Sequence, residues 1–499
     1  MANRPVESRT TAVPYIDVHE THTGMVVLVG GRAFKAKKPV LTDFLDFRTL
    51  EQRERACFRE VKLNSRLSPD SYLGVAHLSD PSGGPAEPIV VMRRYRDEDR
   101  LASIVTRDQS GHSAQRLLDR IAEVLAHFHE KAARNPKINE QGTLSAIEQR
   151  WHENLAELKR HAAKSISRVS SRSISKIQHL VTEFMLGRAA LLTNRIEEGH
   201  IVDGHADLLA DDIFCLDGEP ALLDCLEFDD ELRYIDGIDD AAFLAMDIEF
   251  LGRKDLGDYF LEQYVAHSAD TAPSALRDFY IAYRAVVRAK VDCVRLSQGK
   301  SEAEADAATH VDIALRHLES GAIRLALIGG SPGTGKSTLA HALAEKVGAQ
   351  VISTDDVRRE LRESGAISGD PGVMDAGLYT PDNVATVYEV ALRRAGALLG
   401  EGHSVILDAT WRDPQMRTHA HRLAMETHSV MVELRCVATI DTAAHRIRTR
   451  RRGNSDVTPE IAVALATQSD RWDDAYRVDC WRGRELAVLR AHDVWRRAV

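Results

Sequence analysis

Two short β-prone runs, residues 25–29 and 32–35, flank Gly30-Gly31, a two-residue break that supplies the positive φ of a tight turn. The chain is therefore expected to open its first domain with a β-hairpin. Helical spacing follows at 50–63, an extended run at 88–92, and an amphipathic helix at 115–133. Between 151 and 196, Leu155, Leu158 and Ala162, then Ile174, Ile177, Val181 and Phe184, recur three or four apart, again the period of a helix. Ala303, Ala307, Val311, Leu315 and Leu318 give a further helix over 302–318. Beyond it the pattern changes: strand-like runs at 323–328, 350–353, 404–407 and 430–437 alternate with helical ones, which predicts a parallel sheet. The change places a domain boundary near 300–320.

Length and composition agree with more than one domain. The chain has 499 residues, 44% of them hydrophobic, and a net charge of −10, which excludes wholesale disorder and does not suit an obligate duplex nucleic-acid binder. The apolar runs are far shorter than the roughly 18 residues of a membrane-spanning helix, and the first twenty residues carry charges where a secretory signal needs an apolar core. A cytoplasmic location is expected. Six cysteines with no C-x-x-C pair and no zinc-ligand spacing are expected to be reduced, structural thiols. His200, His205, His403 and His419 fit no metal template, and Trp472, Trp481 and Trp495 are read as core packing.

The strongest chemical signal lies in the C-terminal part. Gly330-Ser331-Pro332-Gly333-Thr334-Gly335-Lys336-Ser337 fits G-x-x-x-x-G-K-[ST], follows an apolar strand and precedes a helix that begins around Thr338. In such a loop the backbone N–H groups and the helix N-terminus receive phosphate oxygens, Lys336 reaches the terminal phosphates and Ser337 ligates Mg²⁺. Asp408 ends the run 404–407 at the carboxyl edge of the predicted sheet, where it can hold Mg²⁺ directly or through water. Asp355 follows the second strand, where a carboxylate can take the proton from an acceptor hydroxyl while Arg358 orients that acceptor. Asp356 competes as a helix N-cap. Arg446 and Arg450, four apart in an arginine-rich helix, are read as a lid on the transferring phosphate. Residues 320–499 resemble the P-loop kinase-like group that includes polynucleotide 5′-hydroxyl kinases and zeta-toxin-like sugar kinases. That resemblance implies phosphoryl transfer to a hydroxyl.

The N-terminal part carries a carboxylate cluster. Asp217-Gly218 is a hairpin signal between two short strands, and antiparallel pairing brings Asp212 and Asp224 to one mouth, with Asp207 on the loop just before. A divalent cation bridging nucleotide phosphates is the usual reason to gather such charges. The segment from His205 to Asp224 resembles the aminoglycoside-phosphotransferase and kinase-like superfamily. By that resemblance Asp207 is the catalytic base, Asp212 and Asp224 are the metal ligands, and Lys35 binds phosphate with Glu60 as its helix partner, Lys37 being the competing lysine. Ala206, Leu209 and Asp212 stand where that superfamily has Gly, His and Asn.

The joined order resembles a bacterial two-domain family with an aminoglycoside-phosphotransferase-like N-terminal domain and an ATP-binding P-loop domain. The resulting expectation has a kinase-like α+β domain over 1–300, with a small antiparallel sheet lobe and a helical lobe. A helical linker over 301–319 then leads to an α/β P-loop domain with a parallel sheet over 320–499. Function is expected to be ATP- and Mg²⁺-dependent phosphotransfer to a hydroxyl of a small molecule, with two potential ATP sites; a nucleic-acid end is a less favoured acceptor. Two other readings stay open: a catalytic P-loop domain joined to a pseudokinase-like ligand sensor, and an ATP-binding switch or scaffold without transfer.

Overall fold

The computed structural model describes residues 15–20, 24–41, 46–79, 81–108, 110–165, 169–216, 219–370, 376–449 and 472–499. The chain divides into two compact units, one formed by Met1–Gly142 with Gly199–Thr271, the other by Thr143–Glu198 with Ala272–Val499.

The first unit holds an antiparallel sheet of β1 (Ile16–Glu20), β2 (Gly24–Val29), β3 (Arg32–Lys37), β4 (Tyr72–Leu78) and β5 (Glu87–Arg93) in the order β1-β2-β3-β5-β4. The β2–β3 hairpin turns at Gly30-Gly31 as expected, with Val29 opposite Arg32 and Gly30 at φ 54°. The helix Leu50–Asn64 packs on β4 and β5, and Cys57, Tyr72 and Val90 form the small core between them. Its start is a full capping box, Thr49 and Gln52 satisfying each other's backbone N–H groups. A helical part follows, in which His112–Lys131, Gly237–Phe250 and Lys254–Ser268 pack together. Two small strand pairs lie before and within it: β6 (Ile201–Asp203) with β9 (Tyr234–Asp236), and β7 (Ile213–Phe214) with β8 (Ala221–Leu222). The β7–β8 pairing is antiparallel as expected; the Asp217-Gly218 turn itself lies outside the described residues.

The second unit contains a five-stranded parallel sheet: β10 (Arg324–Gly329), β11 (Gln350–Ser353), β12 (Val405–Asp408), β13 (Val430–Val437) and β14 (Tyr476–Asp479), ordered β11-β12-β10-β13-β14. Central β10 is buried along its whole length, because helices cover both faces of such a sheet. Ala326, Ile328, Leu339, Leu343, Ile406, Val432 and Leu434 belong to one core cluster around it.

The fold class read from sequence is therefore observed, but the units divide the chain elsewhere than at 300–320. The helices Leu144–Ser165, Ser171–Gly187, Ser274–Ser297 and Ala303–Ser320 belong to the second unit. Trp151 lies 5.3 Å from the Phe279 ring and Phe184 stacks on Phe279 at 4.2 Å. Residues 303–320, expected as a helical linker, form a helix that is part of this packing: His310 and His317 pair with Asp292 and Asp278 at 2.8 and 2.6 Å. Arg188, buried at the end of Ser171–Gly187, donates to the Thr427 carbonyl at 2.8 Å and so ties these helices to the start of β13. Among the described residues no helix is long and apolar enough to cross a membrane.

Candidate active sites

Strand alternation places Lys35 and Lys37 on one face of β3, and the helix Leu50–Asn64 sends the fully buried Glu60 between them. Lys35 Nζ lies 2.8 Å from Glu60 Oε1 and 2.6 Å from Asp224 Oδ1; Lys37 Nζ lies 2.6 Å from Glu60 Oε2 and 2.7 Å from Glu227 Oε1. Both lysines thus share the one glutamate, and Lys35 alone reaches Asp224. Burial disfavours the Lys35 ammonium, but Asp224 and Glu60 outweigh it and hold the group well above its usual range.

Asp224 sits just past β8 at φ 61°, with its N–H donated to the Tyr72 hydroxyl at 3.1 Å. Burial raises its carboxyl, while the charge and hydrogen bond of Lys35 pull it down further than burial lifts it. Asp212 behaves in the opposite way: burial, then repulsion from Asp224 and Asp207, pushes it far above the carboxylate range. The three expected carboxylates are thus close enough to feel one another. Yet among the described residues no three His, Cys, Asp or Glu side chains form a ready metal cage. That donor set still suits Mg²⁺, which takes one or two carboxylates and completes its shell with phosphates and water.

The loop that carries Asp207 is anchored by Asp240, a residue the sequence reading missed. Its buried carboxylate accepts the backbone N–H of His205 at 2.6 Å, that of Ala206 at 2.9 Å and His129 Nε2 at 3.0 Å. Burial opposes this charge, but the His129 hydrogen bond and the backbone donors keep Asp240 well below its usual value. The available signal was an Asp239-Asp240 pair in the first turn of the largely apolar, deeply buried helix Gly237–Phe250. Gly204 is required beside it, since a Cβ there would meet Asp240 Oδ2 at 2.8 Å.

Ala206 has φ 69°, which explains why glycine is usual at this position. A left-handed alanine costs about 1–2 kcal/mol, more than the roughly 0.4–1 kcal/mol that a glycine adds to unfolded-chain entropy. Ala206→Gly is therefore expected to stabilise the first unit by up to about 1 kcal/mol. An unchanged or lower denaturant midpoint would show that the strain is relieved elsewhere.

In the second unit the P-loop lies between β10 and the helix Lys336–Val347, with Gly330, Gly333 and Gly335 at φ 132°, 78° and 102°. A Cβ at Gly330 would collide with the Cys436 carbonyl, and one at Gly333 would lie 2.6 Å from the Ala443 carbonyl, so two glycines are required for packing as well as conformation. Thr334 Oγ1 closes the turn on the Ser331 carbonyl at 2.7 Å, and Lys336 Nζ donates to the same oxygen at 3.2 Å. Asp408, at the end of β12 and 4% exposed, is pushed up by burial and pulled back by Lys336 and a hydrogen bond from Ser337. The loop lysine, the Ser337 hydroxyl and the strand-end carboxylate thus meet at one point.

Asp355 opens the helix Thr354–Glu363, one strand further along the same carboxyl edge, and its charge bears on Asp408. The helix N-cap is Ser353, not Asp356, which instead pairs with Arg359 at 3.1 Å. Arg358 Nη1 donates to Asp355 Oδ1 at 2.7 Å, and its guanidinium lies 4.6 Å from the Tyr379 ring centroid. Arg446 lies beside the loop: its Nη1 donates to the Thr334 carbonyl at 3.1 Å and its Nη2 to the Cys480 carbonyl at 2.9 Å. Arg450 lies outside the described residues. Trp472 and Trp495 are buried as expected, whereas Trp481 is 44% exposed, its ring covered by Arg482 at 4.9 Å.

Residues 325–471 match the model of a family described as AAA domain. Over 489 residues the chain is 65% identical to the uncharacterized protein Rv2004c of Mycobacterium tuberculosis, covering 98% of this chain and 97% of that protein. The chain belongs to the Rv2004c family. Within that family the uncharacterized protein Mb2027c of Mycobacterium bovis shows the same identity and coverage. Among solved structures, a choline/ethanolamine kinase family protein from Mesorhizobium loti is 13% identical, with a TM-score of 0.36 and coverage of 62% of this chain and 94% of that one. A gluconokinase from Sinorhizobium meliloti is 16% identical, with a TM-score of 0.27 and coverage of 35% and 92%. The residues matched by the AAA model take in the P-loop and the strands β11 to β13 of the second unit.

Proposed function

We propose that this family member is an ATP- and Mg²⁺-dependent phosphotransferase acting on a hydroxyl of a small molecule, with the P-loop domain as a catalytic centre. The meeting of Lys336, Ser337 and Asp408, with Asp355 on the neighbouring strand end, is the observation that carries this reading. Bound Mg²⁺ would neutralise phosphate charge in transit; Ser337 and Asp408 are the residues to hold it. Arg358 fixes the Asp355 carboxylate from one side, which leaves its other oxygen to accept a hydroxyl proton. Arg446, by holding the Thr334 carbonyl, keeps the loop N–H groups in their cradle.

The N-terminal region offers a second potential ATP site, supported by the Lys35–Glu60 pair and by Asp207 beside Asp212 and Asp224. A sensor role for this region has its own support, because Asp224 is already committed to Lys35. The two readings are separated by following phosphate transfer from labelled ATP to sugars, amino sugars, aminoglycosides and 5′-hydroxyl oligonucleotides, using wild type, Asp207→Asn and Lys336→Ala. Loss of transfer only in Lys336→Ala makes the first unit a sensor. Separate losses make both units kinases, and transfer that survives both substitutions removes the proposal.

A proton should report occupancy of the first site. Without a cation Asp212 keeps its proton above the usual carboxylate range, so Mg²⁺-nucleotide binding there must expel it. Affinity is expected to rise as the pH climbs from the acid range towards neutrality. Calorimetry in buffers of different ionisation enthalpy should show proton release, which Asp212→Asn removes. Equal heats in all buffers would place the cation elsewhere.

A further inference from the structure

Two of the six cysteines, Cys436 on β13 and Cys480 just after β14, lie side by side beneath the P-loop. The two strands are parallel with Cys436 opposite Val478, and the Cys480 N–H continues the ladder to the Val437 carbonyl at 3.0 Å. Cys436 and Cys480 therefore occupy diagonal positions on the same face, within one core cluster, where each thiol bears on the ionisation of the other. Each also touches the loop above. The Cys436 carbonyl fills the space a Cβ on Gly330 would need, and Cys480 Cβ lies 3.5 Å from where a Cβ on Gly335 would stand. The Cys480 carbonyl accepts from Arg446, which holds the Thr334 carbonyl with its other nitrogen.

The two thiols are chemically unequal. The neighbouring Cys436 thiol, then the nearby Arg446 and Lys336 charges, favour the Cys480 thiolate against burial, while Cys436 is held in its protonated form. Cys480 is also the less buried, at 8% exposure against 1%. This is the arrangement of an attacking thiolate beside a resolving thiol.

We propose that Cys436 and Cys480 form a peroxide-sensitive disulfide that distorts the P-loop and switches off its nucleotide site. The Cys480 thiolate attacks one oxygen of hydrogen peroxide, the O–O bond breaks, and with one proton the products are a sulfenic acid and water. The Cys436 sulfur then attacks the Cys480 sulfur, the S–OH bond breaks, and hydroxide leaves as water with the Cys436 proton. Two thiols are oxidised and one peroxide is reduced to two waters. One strand across and two residues along a parallel sheet, Cα atoms lie roughly 8 Å apart, whereas a disulfide needs Cα atoms about 4.4–6.8 Å apart. Bond formation therefore draws Cys436 and Cys480 together, and with them the Gly330 contact and the Arg446 anchor.

The test treats reduced full-length protein with hydrogen peroxide, maps disulfides by mass spectrometry and follows amide exchange over residues 329–338. The expected result is a Cys436–Cys480 cross-link, faster exchange of the loop amides, and recovery of both on adding dithiothreitol. A fluorescent ATP analogue should bind at least about tenfold more weakly to the oxidised protein. Cys436→Ser and, independently, Cys480→Ala should bind it as before and lose sensitivity to peroxide. Oxidation of other cysteines without this cross-link, or a cross-link that leaves loop exchange unchanged, overturns the inference. The nucleotide arm rests on the P-loop reading above. If the reduced protein fails to bind the analogue, that reading falls, while cross-link and exchange still decide the switch.

Discussion

Replacing Lys336 by alanine is expected to lower phosphoryl transfer at the P-loop by about 10²–10³-fold, the usual loss when one preorganised positive group is removed from developing charge. The side chain donates its hydrogen bond to the Ser331 carbonyl at 3.2 Å. Ligand phosphate can replace that contact. Because the glycine conformations and the Gly330 and Gly333 contacts do not depend on Lys336, the loop should keep its shape. Folding stability should change by no more than about 0.5 kcal/mol. Labelled-ATP turnover and a thermal melt of the same preparation measure both. Wild-type turnover in this variant would mean that the P-loop is not where transfer occurs.

Glu60→Ala should produce the largest loss of stability. Its carboxylate is fully buried and holds two ammoniums, Lys35 at 2.8 Å and Lys37 at 2.6 Å. Breaking a buried pair by removing one partner costs about 3–5 kcal/mol, because the remaining charge stays desolvated. Here the lysines would also face each other, with Asp224 and Glu227 as their remaining partners. Glu60→Gln keeps the volume and isolates the charge, so it should lose most of the same amount. The pH dependence follows from the directions of the shifts. Lys35 and Lys37 have folded values raised above the unfolded one, so their contribution is complete below the ordinary lysine range and is lost only as pH rises through the folded values. Asp224 is lowered, so its contribution is present above the ordinary carboxylate range and fails in acid. The deficit should thus be constant across neutral pH. Urea unfolding at several pH values tests this, and a deficit below about 1 kcal/mol would place the lysines in water-accessible contacts.

Parts of both sites were legible because local rules produce them. The P-loop needs a strand, positive-φ glycines and a helix start in immediate succession, all of which are contiguous in sequence. Asp408 was readable because a parallel strand must end at the loop's edge. The strands β1, β4 and β14 were not read. β1 is an edge strand with little burial, β4 has an irregular register between Tyr72 and Gly74, and β14 buries Val478 as its one deep apolar residue. β1 and β14 do alternate apolar and polar residues, but over only about four positions, the shortest run that can reveal a half-buried strand.

The contiguous chain by itself determined a region of antiparallel sheet and helices followed by a P-loop domain, the hairpin carrying Lys35, and the glycine cradle around Lys336. Their causes are periodicity, turn chemistry and backbone conformation, which act over a few residues. Only the tertiary structure decided that Lys37 shares Glu60 with Lys35, that Asp240 anchors the loop of Asp207, that residues 143–198 and 272–320 pack in the P-loop unit, and that Cys436 meets Cys480 beneath it. Those pairings join residues tens to hundreds of positions apart. Buried charges and hydrogen-bonding groups must find partners wherever the packed chain supplies them, and no local pattern names which distant residue that will be.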